Sequence, residues 1–147
     1  MENRKSVTVV LVEDDPGHAK LIKKNLQKGG INNPFIILND GQKAVDFLFG
    51  KGEYEGKARL SPLLVLLDLN MPLVDGYQVL KMMKEDNTTK KIPVVVLTTT
   101  ENPSEVQRCY ELGCNVFVTK PVEYEEFAEA MRKLGLFIEI MMVPDID

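Results

Sequence analysis

The 147-residue chain has no tryptophan, one histidine (His18) and only two cysteines, Cys109 and Cys114. Two thiols cannot build a disulfide framework, and one distant histidine does not complete a metal site with them. Idle or buried thiols in a reducing compartment are the expectation. Positive charge is short as well: 18 Lys and Arg stand against 22 acids, for a formal net charge of -4. That balance lacks the basic footprint of a nucleic-acid binder. Long apolar runs are missing too. No stretch approaches the roughly 20 residues of a membrane helix. The N-terminal MENRKSVTVVLVEDD turns acidic where a secretory leader would extend its apolar core. The expectation is a cytoplasmic protein with neither membrane nor nucleic acid as partner.

What is present is a rhythm. Strand-length apolar runs recur at Val7 to Val12, Phe35 to Leu38, Leu63 to Leu67, Ile92 to Leu97 and Val116 to Val118. Three of them are nearly continuous in Val, Ile and Leu, which suits strands covered on both faces of a parallel sheet. Helical patterns follow each run. Asp15 and Pro16 open the first, with Ala19, Ile22 and Leu26 on one face and Gly29-Gly30 as its stop. The second spans Gly41 to Phe49, and the third carries Gly76, Val79, Leu80 and Met83. The fourth runs from Asn102-Pro103 to Gly113, and the fifth presents Tyr124, Phe127, Ala128 and Met131. Five βα units with right-handed crossovers predict an α/β, doubly wound fold. Such folds bind ligands beyond the carboxyl ends of their strands.

Chemistry-bearing residues collect at those ends. Glu13, Asp14 and Asp15 follow the first run and Asp68 the third, Thr98 closes the fourth, and Lys120 follows the fifth. Gathered carboxylates repel one another unless a cation intervenes, and a hard divalent ion such as magnesium, with oxygen ligands, resolves the repulsion. Lys120 adds a positive charge and Thr98 a hydroxyl donor, the needs of phosphoryl transfer. A carboxylate can itself accept the group as an aspartyl phosphate. Singly these residues read otherwise: Asp15 as a helix cap, Lys120 as a surface lysine, Thr98 as an ordinary strand end. Their coincidence at four strand ends of one sheet is the signal.

In order, LVEDDP, LLDLNMPLVDG, VVVLTTT and VFVTKP resemble the receiver domain of bacterial two-component response regulators, over about Val7 to Leu134. The resemblance implies a (βα)5 flavodoxin-like fold whose five-stranded parallel sheet has the order 2-1-3-4-5. It makes Asp68 the phosphorylated aspartate. Magnesium would be held by Asp14, Asp68 and the Asn70 main-chain carbonyl, and by Glu13 through water. Thr98 becomes the switch hydroxyl and Lys120 the phosphate-contacting lysine. Phe117 becomes the aromatic residue that rotates with Thr98, and the peptide before Pro121 is expected to be cis. The chain would be a phosphoacceptor that assists its own phosphotransfer and autodephosphorylation, not an enzyme of outside substrates. Its phosphodonor would be a sensor histidine kinase.

Two departures from compact receivers stand out. Gly50 to Pro62 is a long connection, read as a solvated loop with room for a partner contact. From Leu136 to Val143 only Glu139 is charged; the expectation is a single receiver domain, 1–147, with an apolar C-terminal extension, 136–147, and no output domain. Together they resemble the single-domain regulators that partner bacterial phytochromes. That resemblance implies in part a homodimer, expected through the fourth helix, fifth strand and fifth helix. The apolar tail could pack back on its own core or cover a neighbouring subunit, and the second reading stands slightly ahead because the fifth helix already supplies a core face. Rival readings are a haloacid-dehalogenase-type phosphohydrolase, a dinucleotide or flavin module, and a receiver-like adaptor that is never phosphorylated. The first expects a second aspartate where Asn70 stands. The second expects a glycine-rich loop where Glu13-Asp14-Asp15 stand, and the third a lost site residue.

Overall fold

The computed structural model describes residues 7–57, 62–99, 102–121 and 123–140. Five parallel strands, β1 (Thr8–Val12), β2 (Phe35–Leu38), β3 (Leu63–Asp68), β4 (Val94–Thr98) and β5 (Val116–Thr119), form one sheet in the order β2-β1-β3-β4-β5. Helices α1 (Pro16–Lys28), α2 (Gly41–Phe49), α3 (Gly76–Glu85), α4 (Pro103–Leu112) and α5 (Tyr124–Ile140) alternate with them. The order matches the expectation, and so does burial. The central strands β1, β3 and β4 are buried at every position, whereas the edge strands β2 and β5 are largely half-exposed.

Side-chain alternation divides the core into two layers. Val9, Leu11, Leu64, Leu66, Val95 and Leu97 meet α1 and α5 through Ile22, Leu26, Phe127 and Met131. Val10, Val12, Val65, Leu67, Val94 and Val96 meet α2, α3 and α4 through Val45, Leu48, Val79, Leu80 and Cys109. Both cysteines are buried and free. The register pairs Val12 with Leu38 and Leu67, Asp68 with Leu97, and Thr98 with Thr119, so the carboxyl ends reach one rim together.

Capping starts the helices at that same rim. The Asp15 carboxylate accepts from the Gly17 and His18 N–H groups, and Asp40 accepts from Lys43. Asp75 and Gln78 form a reciprocal capping box, and Asn102 accepts from Ser104. Each such cap stabilises its helix by about 1 kcal/mol. Asp15 is thus the cap that its position before Pro16 suggests.

Several boundaries differ from the expectation by a residue or more, and three stretches are worth following. β4 begins at Val94, not Ile92, because Pro93 has no N–H to give the ladder; its carbonyl accepts from Val65 at 3.0 Å. The long connection contains a 3-10 turn, Gly52–Tyr54, anchored by the Tyr54 ring edge-on to Phe47 at 5.2 Å; its residues 58–61 lie outside the described residues. The apolar extension begins as helix: α5 runs on to Ile140, with Ile138 buried against the α1 layer and Leu136 and Phe137 exposed. Its remainder, 141–147, lies outside the described residues. The close seating of α5 on α1 depends on Gly29, where an added Cβ would fall 2.5 Å from the Arg132 carbonyl oxygen. No helix among the described residues is long and apolar enough to cross a membrane.

Candidate functional site

The rim at the ends of β1, β3, β4 and β5 draws together the residues that the sequence singled out. Glu13, the residue after β1, is buried, with 2% of its surface exposed; its main-chain N–H donates to the Leu38 carbonyl at 3.0 Å. Asp14 follows, half-buried. Asp68 is the last residue of β3 rather than the first of the loop, and is 6% exposed. Ligand oxygens of Glu13, Asp14 and Asp68 all lie within 4.8 Å of one another.

Lys120 supplies the only ammonium recorded against these acids among the described residues. Its Nζ donates to Glu13 Oε1 at 2.8 Å and stands 4.0 Å from Asp68 Oδ2. It is itself buried, 4% exposed, so this is an ion pair held out of water, in which each charge depends on its partner. Three carboxylates against one ammonium leave a negative excess, open through the half-buried Asp14. A hard divalent cation fits that donor set. Burial first, and the neighbouring Glu13 charge second, push the Asp68 carboxyl up to about 7; Lys120 pulls against both.

Two further groups frame Asp68. The Asn70 N–H donates to Asp68 Oδ1 at 3.2 Å, turning the chain as it leaves β3. The Asn70 side-chain amide reaches across to β4 and donates to Thr98 Oγ1 at 3.0 Å, and Thr98 is fully buried. This bridge was not legible in the sequence, since nothing in residue type says which way Asn70 points. It leaves the Thr98 hydroxyl proton free to point elsewhere. The Lys120 N–H donates to the Thr98 carbonyl at 2.7 Å, which ties the start of the β5–α5 loop to the end of β4.

Phe117 lies further back along β5, opposite Val96 and half-buried. Its N–H is taken by the Tyr110 hydroxyl at 3.1 Å, a contact between α4 and β5 that sequence reading missed. Pro121 lines a cavity of about 260 Å³ with His18, Leu21, Thr99, Lys120, Tyr124 and Phe127. A second tie that periodicity does not reveal joins α3 to α4. The Tyr77 hydroxyl donates to Glu105 Oε1 at 3.2 Å, and the Arg108 guanidinium lies 3.9 Å from the Tyr77 ring centre.

Comparison with known proteins agrees with this fold. The family model described as response regulator receiver domain matches residues 9–132. Response regulator Rcp1 of Synechocystis sp. is 38% identical over 144 residues, which are 97% of this chain and 97% of that protein. A response regulator receiver domain from Rhodospirillum rubrum has TM-score 0.88 at 50% identity, over 95% of this chain and 99% of that one. The Mn(2+)-bound form of Rcp1 has TM-score 0.85 at 37% identity, over 95% and 99% of the two chains. The phosphorylated cyanobacterial phytochrome response regulator RcpA has TM-score 0.84 at 33% identity, over 93% and 97%.

Proposed function

The chain belongs to the response regulator receiver domain family, and on that premise we propose that Asp68 is the carboxylate it presents for phosphorylation by a sensor histidine kinase. The observation that carries this is the meeting of Glu13, Asp14 and Asp68 within 4.8 Å, with the Lys120 ammonium 4.0 Å from Asp68. A relative of nearly the same length has been solved with Mn(2+) bound. Here magnesium is the ion proposed, held by Asp14, Asp68 and the Asn70 main-chain carbonyl, with Glu13 reaching it through water. When bound, the ion neutralises charge on the phosphoryl oxygens.

The chain's own groups do the rest. An Asp68 carboxylate oxygen attacks phosphorus as the bond to the donor imidazole nitrogen breaks. That nitrogen keeps the electron pair. Lys120, already beside Asp68, contacts one phosphoryl oxygen, and the Thr98 hydroxyl donates to another once it moves in, with Phe117 following. Charge-assisted hydrogen bonds are worth about 1.5–3 kcal/mol each. Taking a two-state equilibrium from 1:99 to 99:1 needs about 5.5 kcal/mol. Two contacts reach that only at their upper end, so phosphorylation shifts a population that a partner then completes. The surface for this is α4, β5 and α5, where a homodimer would form with help from the C-terminal tail. The Asn70 amide leaves no general acid two residues after Asp68, which argues against turnover of outside phosphate esters. Autodephosphorylation remains within reach of an attacking water. The phosphorylated relative is a phytochrome response regulator, so a bacterial phytochrome kinase in the cytoplasm is the donor proposed.

Incubation with acetyl phosphate and magnesium, read by intact mass, tests the core of this. One phosphoryl group should be added, and neither chelation of magnesium nor Asp68→Asn should leave any. Labelling that persists in Asp68→Asn overturns it.

A further inference from the structure

Among the described residues, α4 is the most thinly seated of the five helices. Of its span Pro103 to Leu112 only Cys109 is buried. Glu105, Val106 and Leu112 are half-buried and the rest are exposed. Helix α3 beside it, of the same length, buries Gly76, Val79, Leu80 and Met83. Burial of apolar surface is the main force that seats a helix, so the place of α4 depends on side-chain ties in a way that the place of α3 does not. Tyr110 supplies one such tie, to Phe117 of β5. Another, to α3, is built on Tyr77.

Tyr77 is a fixed post. Gly76, the residue before it, lies so close to Asp68 that a Cβ there would fall 2.3 Å from the Asp68 carbonyl oxygen. Val79 and Leu80, just after it, are fully buried, and the Tyr77 ring packs on their core layer. Its hydroxyl donates to Glu105 Oε1 at 3.2 Å, and the Arg108 guanidinium lies over the ring, 3.9 Å from its centre. Glu105 and Arg108 are neighbours one turn apart on α4, so the helix grips the ring by its polar tip and by its face. Burial pushes the Tyr77 hydroxyl up to about 12, so at neutral pH it keeps the proton it donates. Glu105 lies in the first turn of α4, and a short connection joins Thr98 to Asn102, the cap of that turn. A Thr98 hydroxyl drawn toward Asp68 therefore pulls on the end of α4 that Tyr77 holds.

We propose that Tyr77 is a positioning residue for the phosphoryl switch: its contacts with Glu105 and Arg108 hold α4, and through it Thr98, in the resting place. The inference rests on Asp68 as phosphoacceptor and on Thr98 as the group that moves. In the resting place Thr98 Oγ1 accepts from the Asn70 amide at 3.0 Å, so this bridge and the Tyr77 clasp act at the two ends of one segment. The clasp stabilises only the arrangement in which α4 lies against α3. By linkage, whatever favours that arrangement weakens the hold on a phosphoryl group by the same factor. Releasing α4 should therefore raise affinity for a phosphoryl mimic at Asp68. A tyrosine that only stabilised the fold would leave that affinity unchanged, because both arrangements of the folded chain would lose the same contact.

Beryllofluoride with magnesium, titrated against the full chain, reads this affinity without a kinase. Tyr77→Phe keeps the ring, its packing and the Arg108 stack, and removes only the hydroxyl. It should bind the probe about 3- to 10-fold more tightly than wild type, the factor that one half-exposed hydrogen bond to a charged group supports. Arg108→Gln removes the cation from the ring face and should gain about 2- to 5-fold. Glu105→Ala should gain as well, and in the double variant with Tyr77→Phe the two gains should not multiply, because both remove one bond. Binding by Tyr77→Phe that equals or falls below wild type overturns the proposal, and so do gains that multiply in the double variant. Wild type that binds no beryllofluoride would instead sink the reading of Asp68.

Discussion

Replacing Asp68 with asparagine should stabilise the metal-free protein at pH 8. Burial and the Glu13 charge raise the Asp68 carboxyl from its ordinary 3.8 to about 7, so the folded chain holds this proton more tightly than the unfolded chain does. The stabilisation that the proton confers is complete below about pH 4 and is lost as pH climbs to about 7, because the unfolded chain has already ionised there. At about 1.4 kcal/mol per pH unit the displacement sets a ceiling of about 4 kcal/mol. Water on the Asp14 side screens part of it, leaving about 2 kcal/mol. Asparagine keeps the shape of the carboxyl without the charge, and Lys120 keeps its 2.8 Å contact with Glu13. For a domain of this size 2 kcal/mol corresponds to about 4–8 °C in Tm. Calorimetry in EDTA should show Asp68→Asn melting higher by that margin at pH 8, and matching wild type at pH 4. An equal difference at both pH values, or a lower melting variant at pH 8, would refute the reasoning.

Magnesium should reverse that ranking. Ion and proton compete for Asp68, so magnesium affinity of the wild type, followed by titration calorimetry, should fall as pH drops below about 7. Lys120→Met leaves the 2%-exposed Glu13 without its ammonium, and urea denaturation should show a loss of about 3–5 kcal/mol, most of it regained by adding Glu13→Gln. In Gly41→Ala the new Cβ would meet the Val74 carbonyl oxygen at 2.0 Å; backbone must move, and a loss of about 3 kcal/mol in the same assay is expected.

The sheet was legible because its three inner strands carry near-unbroken Val and Leu, a pattern that suits two-sided burial. The site was legible because topology alone sends the carboxyl ends of parallel strands to one rim, so Glu13, Asp14, Asp68, Thr98 and Lys120 had to meet. Element ends were harder. Pro93 trims β4 through a missing donor, and α5 continues past Leu134 because Ile138 still finds the α1 layer, which no local stop signal announces. Side-chain direction was not legible at all. The Asn70 bridge to Thr98, the Tyr110 hydroxyl on Phe117 and the Arg108–Tyr77 stack depend on where loops and helices come to rest.

The most direct measurement locates the phosphoryl group. After brief reaction with acetyl phosphate and magnesium, reduction of the acyl phosphate by borohydride and peptide mass mapping should mark the residue that carried it. Asp68 should be converted in wild type, with Asp14 and Asp15 untouched and no conversion in the presence of EDTA. Modification at another carboxylate, or a hydroxylamine-stable phosphate on a serine, threonine or histidine, would contradict the central claim.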